Sequence, residues 1–269
     1  MTTKDWDDAF ANMAHIPGSE ALPEHWKERA RLYRASGVQI ELDVAYGDGP
    51  REVFDLVWPD STPKGLVVFI HGGFWTRLDK SYWTDLAEGA RARGWAVCLP
   101  SYTLAPLARI SAMTAQMGQA IALAANWVAG PIRLCGHSAG GHLATRMICA
   151  DTPLAPSVLD RVEHTLSISG LHDLRPLLFT QMNQTLCLDL TEATAESPAL
   201  AMPHGPCRLT TWVGGGERPE FIRQAQVMAQ IWEGLNARTR CVLDGTHNHF
   251  TVIDGLKLPD SPLVAALLG

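Results

Sequence analysis

The sequence predicts an α/β protein: a mainly parallel, eight-stranded sheet with an N-terminal antiparallel hairpin and helices on both faces. Three observations lead there. Apolar runs of strand length recur along the chain. From residue 66 onward helical stretches separate them, the pattern of strands joined by crossover helices. Before residue 66, two alternating runs flank Gly47-Asp48-Gly49-Pro50, which reads as strand, turn, strand.

The elements follow in order. Residues 1–36 are polar with scattered aromatics (Trp6, Phe10, Trp26, Tyr33) and are expected to wrap the body or cover a site. The hairpin strands are Val38–Tyr46 and Glu52–Trp58. Leu66–Ile70 is wholly apolar, as suits a strand buried on both faces. A helix is expected over Ser81–Arg93, then strand Trp95–Leu99. A long Ala-rich helix over Ile110–Val128 leads to strand Ile132–Cys135, and a helix over Ala139–Ala150 leads to strand Thr165–Ser169. A loop-rich insertion, 171–206, comes next. Strand Leu209–Val213, helix Glu220–Leu235, strand Thr239–Leu243 and a terminal helix complete the series. With no repeat and no Ser/Gly-rich linker, residues 1–269 read as one domain.

Composition narrows the function. Of 269 residues, 46% are hydrophobic and 19% charged, so a large core is expected and disorder is not. A net charge of −6 without a basic cluster argues against nucleic acid as a partner. Apolar runs are too short to span a membrane. The N-terminal twenty residues are acidic and lack an apolar stretch, so a cytoplasmic location is expected. The six cysteines are widely spaced with no C-x-x-C pair, and are expected to be reduced core residues. The partner class is a small molecule; a homodimer is left open.

In a parallel sheet, ligands bind beyond the carboxyl ends of the strands, so the residues there carry the functional information. After Ile132–Cys135 stands Gly136-His137-Ser138-Ala139-Gly140-Gly141, a G-x-S-x-G run between strand and helix. Such a turn strains the serine backbone, presents its hydroxyl above the sheet and sets it at a helix N-terminus. Ser138 is the candidate nucleophile. After Leu66–Ile70 stands His71-Gly72-Gly73-Phe74-Trp75. The amides of Gly72 and Gly73, with that of Ala139, are candidates for an oxyanion hole. His71 reads as a loop organiser, and Phe74 and Trp75 read equally as pocket wall or core. Past Leu209–Val213, Glu217 is the candidate acid, since nucleophile, acid, histidine is the chain order of such sites; Glu220 nearby already belongs to a helix. Two histidines, His247 and His249, compete for the role of base. The His247-x-His249 pair lacks further ligands at metal spacing, so no metal or other cofactor is expected. A dinucleotide site is disfavoured because no G-x-G-x-x-G follows the first strand.

Taken together, HGGFW (71–75), GHSAGG (136–141), GERPEF (216–221) and HNHF (247–250) resemble the α/β-hydrolase fold, and within it the kynurenine formamidase (arylformamidase) group and its bacterial esterase-like relatives. The resemblance spans about residues 38 to 257. It implies Ser138 as nucleophile, Glu217 as acid and His249 as base. The segment from Ser169 to Leu177, with Asn183 and Ser197-Pro198, is similar to the group's cap-side insertion, and His172, Arg175 and Asn183 become candidate donors for a substrate carboxylate. The chain departs from the animal formamidases at Glu217, where Asp is typical, and at Phe74, where Tyr is common. The implied activity is serine hydrolysis of an aryl formamide such as N-formylkynurenine. A short-acyl carboxylesterase is the alternative. A non-catalytic binding protein on the same fold would be expected to lack a triad member, and candidates for all three are present.

Overall fold

The computed structural model describes residues 4–245 and 247–269. Residues 1–3 of the N-terminal segment and Thr246 of the loop after the last strand lie outside them. The strands are β1 (Ile40–Ala45), β2 (Val53–Val57), β3 (Leu66–Ile70), β4 (Ala96–Pro100), β5 (Ile132–His137), β6 (Val162–Ile168), β7 (Arg208–Gly214) and β8 (Arg238–Asp244). They form one sheet in the order β1-β2-β4-β3-β5-β6-β7-β8. The β1–β2 and β2–β4 pairs are antiparallel and the rest are parallel.

Period-two alternation sorts the strand side chains between two cores. Leu66, Val68 and Ile70 of β3 enter one core, with Met113 and Ile121 of the long helix Ile110–Trp127 and Phe221 and Trp232 of helix Pro219–Glu233. Val67 and Phe69 enter the other, with Trp26, Leu86, Leu256 and Val264. A strand apolar at every position therefore serves two layers.

The helix expected over Ser81–Arg93 is broken. Two tight turns, Lys80–Tyr82 and Thr84–Ala87, precede a short helix, Glu88–Ala92. Arg34 braces the break: its Nη1 donates to the Ser81 carbonyl and to Thr84 Oγ1, both at 2.7 Å. The helix expected over Ala139–Ala150 ends at Arg146. Cysteine placement also differs. Cys98, Cys135 and Cys149 are buried, but Cys187 and Cys241 are exposed; all six are free thiols. Among the described residues, no helix is long and apolar enough to cross a membrane.

The register of the parallel strands brings their ends together. Ile70 of β3 lies opposite Gly136 of β5, His137 opposite Ile168 of β6, Ile168 opposite Trp212 of β7, and Gly214 opposite Asp244 of β8. The residues that follow these partners share one rim.

The hairpin edge is fastened by a buried cation. Lys80 Nζ contacts Asp55 Oδ1 at 2.6 Å and Asp43 Oδ1 at 2.7 Å, with Asp55 itself buried. Removing one partner of a buried pair strands the other charge. Lys80→Ala is expected to lower unfolding free energy by about 3 kcal/mol. Lys80→Met/Asp55→Leu should cost clearly less. Urea titrations check both; equal losses would show that the stranded charge is not the cause.

Candidate active site

Ser138 adopts φ 56° and ψ −119°, a backbone region costly to any residue with a side chain. Its neighbours hold it there. Its amide donates to the Ile168 carbonyl at 2.8 Å, and its carbonyl accepts from the His142 amide at 3.1 Å. The turn tolerates no side chain at position 140, where a Cβ would meet the Ile70 carbonyl oxygen at 1.9 Å. The Ser138 hydroxyl does not cap the following helix, Ala139–Arg146. Ala139 opens that helix, so its amide is among the first-turn donors without an intrahelical acceptor.

Glu217 stands three residues beyond β7. Its side chain is fully buried and both of its oxygens are engaged. Oε1 accepts from Ser169 Oγ at 2.5 Å and from the Gly214 amide at 2.8 Å. Oε2 lies 2.6 Å from His249 Nδ1. Between the two histidines, the carboxylate reaches His249. His247 turns away, with Nδ1 3.2 Å from Thr251 Oγ1 and its side chain 39% exposed. His249 also sits between His137 and Phe221, each ring 4.6 Å away. His137 Nε2 is 2.8 Å from the His249 carbonyl, so His137 donates there. Burial, reinforced by the facing His249, holds His137 well below the usual histidine pKa and therefore neutral.

The loop after β3 is held from beneath. Tyr102 stacks on His71, rings 4.5 Å apart, and donates to the His71 carbonyl at 3.0 Å. His71 Nδ1 donates to the Gly72 carbonyl at 2.7 Å, and burial lowers its pKa to about 4. Gly73 has φ +114°, and a Cβ there would meet the Arg77 carbonyl oxygen at 2.2 Å.

A cavity of about 250 Å³ opens over these residues, lined by Gly72, Gly73, His137, Ser138 and His249. Phe74 lines it as well, with Trp26, Trp83, Phe10 and Phe250. Other candidate contacts lie elsewhere. Trp75 is fully buried and packs edge-on against His142, so it is core. His172 is buried with Nε2 3.2 Å from Ser167 Oγ. Arg175 closes back on Asp173, and Asn183 bonds the amide and carbonyl of Leu188. These four residues are absent from the lining; of the three in the insertion, Asn183 serves its backbone, Arg175 a neighbouring carboxylate and His172 faces a serine of β6. The insertion lends Thr180 and Met182 instead.

Sequence reading missed Ser169, His137, Asn12 and Arg77. His137 is the variable position of G-x-S-x-G, where a buried donor has no sequence signature. Asn12, Pro23 and Trp26 line the cavity from the N-terminal segment, which folds over the rim through Arg218–Asp8 and Lys4–Glu220 pairs.

Residues 67–267 match the alpha/beta hydrolase family, and the chain belongs to it. It is an enzyme of the hydrolase class. Among its relatives, a kynurenine formamidase from Danio rerio is 29% identical over 239 residues, covering 85% of this chain and 80% of that one. A crystal structure from Silicibacter sp. TM1040, described as a proposed thioesterase, is 43% identical, with a TM-score of 0.93 and coverage of 99% and 100%. Esterase B from Lactobacillus rhamnosis shares the fold at 16% identity, with a TM-score of 0.68 and coverage of 95% and 91%.

Five buried histidines make a prediction. Burial lowers His71 and His164 to about 4 and His142 and His172 to about 3, and His137 is lowered too. Below about pH 6.5 the unfolded chain protonates these rings while the folded chain does not. Stability is therefore full above that pH and falls as pH drops toward 4, by up to about 1.4 kcal/mol per pH unit for each ring. The urea midpoint should fall steeply between pH 7 and pH 5; a flat midpoint would contradict neutral burial.

Proposed function

We propose that this chain is a serine hydrolase with Ser138 as nucleophile, His249 as base and Glu217 as the acid, acting on an aryl formamide of the N-formylkynurenine type. The observation that carries the reading is the 2.6 Å contact of Glu217 with His249, on a cavity shared with the strained Ser138. With Nδ1 engaged by the carboxylate, Nε2 is the nitrogen left to exchange a proton with Ser138.

Ser138 Oγ bonds to the formyl carbon as its proton passes to His249. The oxyanion rests on the amides of Gly72, Gly73 and Ala139. Glu217 holds the imidazole tautomer and stabilises the imidazolium. The C–N bond then breaks as His249 protonates the departing aniline nitrogen, leaving a formyl-enzyme. Water attacks that ester with His249 as base, formate leaves, and Ser138 regains its proton. Apart from that water, the steps use only this chain's own groups.

Kinship with kynurenine formamidases supports the formamide as substrate. The aromatic lining supports an aryl group. N-formyl-L-kynurenine and p-nitrophenyl acetate, assayed on one preparation, test the reading. A kcat/KM at least about a hundredfold higher for the formamide supports it; turnover of the ester alone makes the enzyme an esterase.

Ser138→Ala should lower kcat by at least about 10³ with the fold intact. His249→Ala should cost far more than His247→Ala. Near-wild-type turnover in Ser138→Ala removes that residue from the chemistry, and the reverse order of the histidines reassigns the base.

A further inference from the structure

Two donors on the cavity wall have no role in the chemistry above. The first is Arg77. It follows the loop after β3, its amide donating to the Gly73 carbonyl at 3.2 Å, and it lines the cavity with Ser138. Arg218, Arg29 and Arg175 are paired with Asp8, Asp85 and Asp173, and Arg51 donates to the carbonyls of Tyr102 and Leu78. Arg77 makes no ion pair among the described residues; its guanidinium contacts Met13 Sδ at 3.4 Å. Asp7 lines the same cavity, yet its Oδ1 accepts from the Gln181 amide at 2.7 Å.

The second is Asn12, which is 3% exposed and also lines the cavity. Its orientation is set by Arg218, whose backbone amide donates to Oδ1 at 3.2 Å. A backbone amide cannot accept, so Nδ2 is the other atom of the side chain. That Nδ2 is buried and has no partner among the described residues. A buried donor left unpaired costs free energy that a bound acceptor would return.

We propose that Arg77 and Asn12 form a carboxylate subsite, so that the enzyme selects substrates bearing an aromatic group and a carboxylate. The guanidinium fork matches a carboxylate, and Asn12 Nδ2 supplies a further hydrogen bond. Asp7 on the same wall favours a single negative charge over a dianionic phosphate. The subsite gives the aryl substrate of the proposed function its anionic end. It rests on that reading only in calling the bound molecule a substrate.

Binding tests it without turnover. Benzoate, phenylacetate and 3-phenylpropanoate are titrated by calorimetry against the matching neutral amides. Wild type should bind at least one carboxylate roughly tenfold or more tighter than its amide, the worth of a charge-assisted contact. Arg77→Gln should erase that preference, and Arg77→Lys should keep part of it. Asn12→Asp keeps the acceptor for the Arg218 amide but turns the free donor into an acceptor, and should weaken carboxylate binding. Rising salt should narrow the preference. Equal affinity for acid and amide in wild type, no binding of either at millimolar concentration, or a preference that survives Arg77→Gln would each overturn the subsite. Loss of formamide turnover with an intact carboxylate preference would instead count against the proposed reaction and leave the subsite standing.

Discussion

The Glu217 carboxylate is the junction on which the site is built. It accepts from Ser169 beyond β6, from Gly214 at the end of β7, and meets His249 beyond β8. A carboxylate with no solvent contact persists only when its lone pairs are used. Those three contacts also set the distance between three strand ends. Register alone brings the ends near one another; the buried charge requires them to meet. Ser138 is tied to the same rim through its amide, which donates to Ile168 at the end of β6.

Around this junction, several histidines act as neutral hydrogen-bonding groups. His71 braces the loop after β3, and His137 holds the His249 carbonyl. His142 Nε2 is 2.7 Å from the Glu196 carbonyl, tying helix Ala139–Arg146 to the insertion. Burial suits them to this task, because a ring kept uncharged can donate to a carbonyl without a counter-ion. The price is sensitivity to acid, which the fold accepts at the site where it most needs order.

Part of the cavity wall has a different origin from the proposed triad. Ser138, Glu217 and His249 come from the strand ends, whereas Asn12 and Trp26 come from a segment outside the sheet. That segment is held by ion pairs and by Trp26 against Trp83 and Phe250, with ring centroids 4.8 and 5.6 Å apart. Arg29 joins it to Asp85 and Asp254 on two separate elements. Selectivity can therefore change with this segment while the groups on the sheet stay in place.

Local patterns in the sequence determined the eight strands, the antiparallel hairpin and the strand-to-helix turn around Ser138, since alternation, apolar runs and glycines act within a few residues. Local reasoning failed where a distant group intervened. The helix expected over Ser81–Arg93 is broken where Arg34 binds Ser81 and Thr84. Trp75 points into the core while its neighbour Phe74 faces the cavity. Arg175 and Asn183 satisfy nearby groups instead of a ligand. That His249 and not His247 meets Glu217, and that Arg77 on the cavity wall makes no ion pair among the described residues, were decided by tertiary structure alone. The Glu217–His249 pair joins residues 32 positions apart, and burial, which sets the worth of such a pair, exists only after the chain has folded.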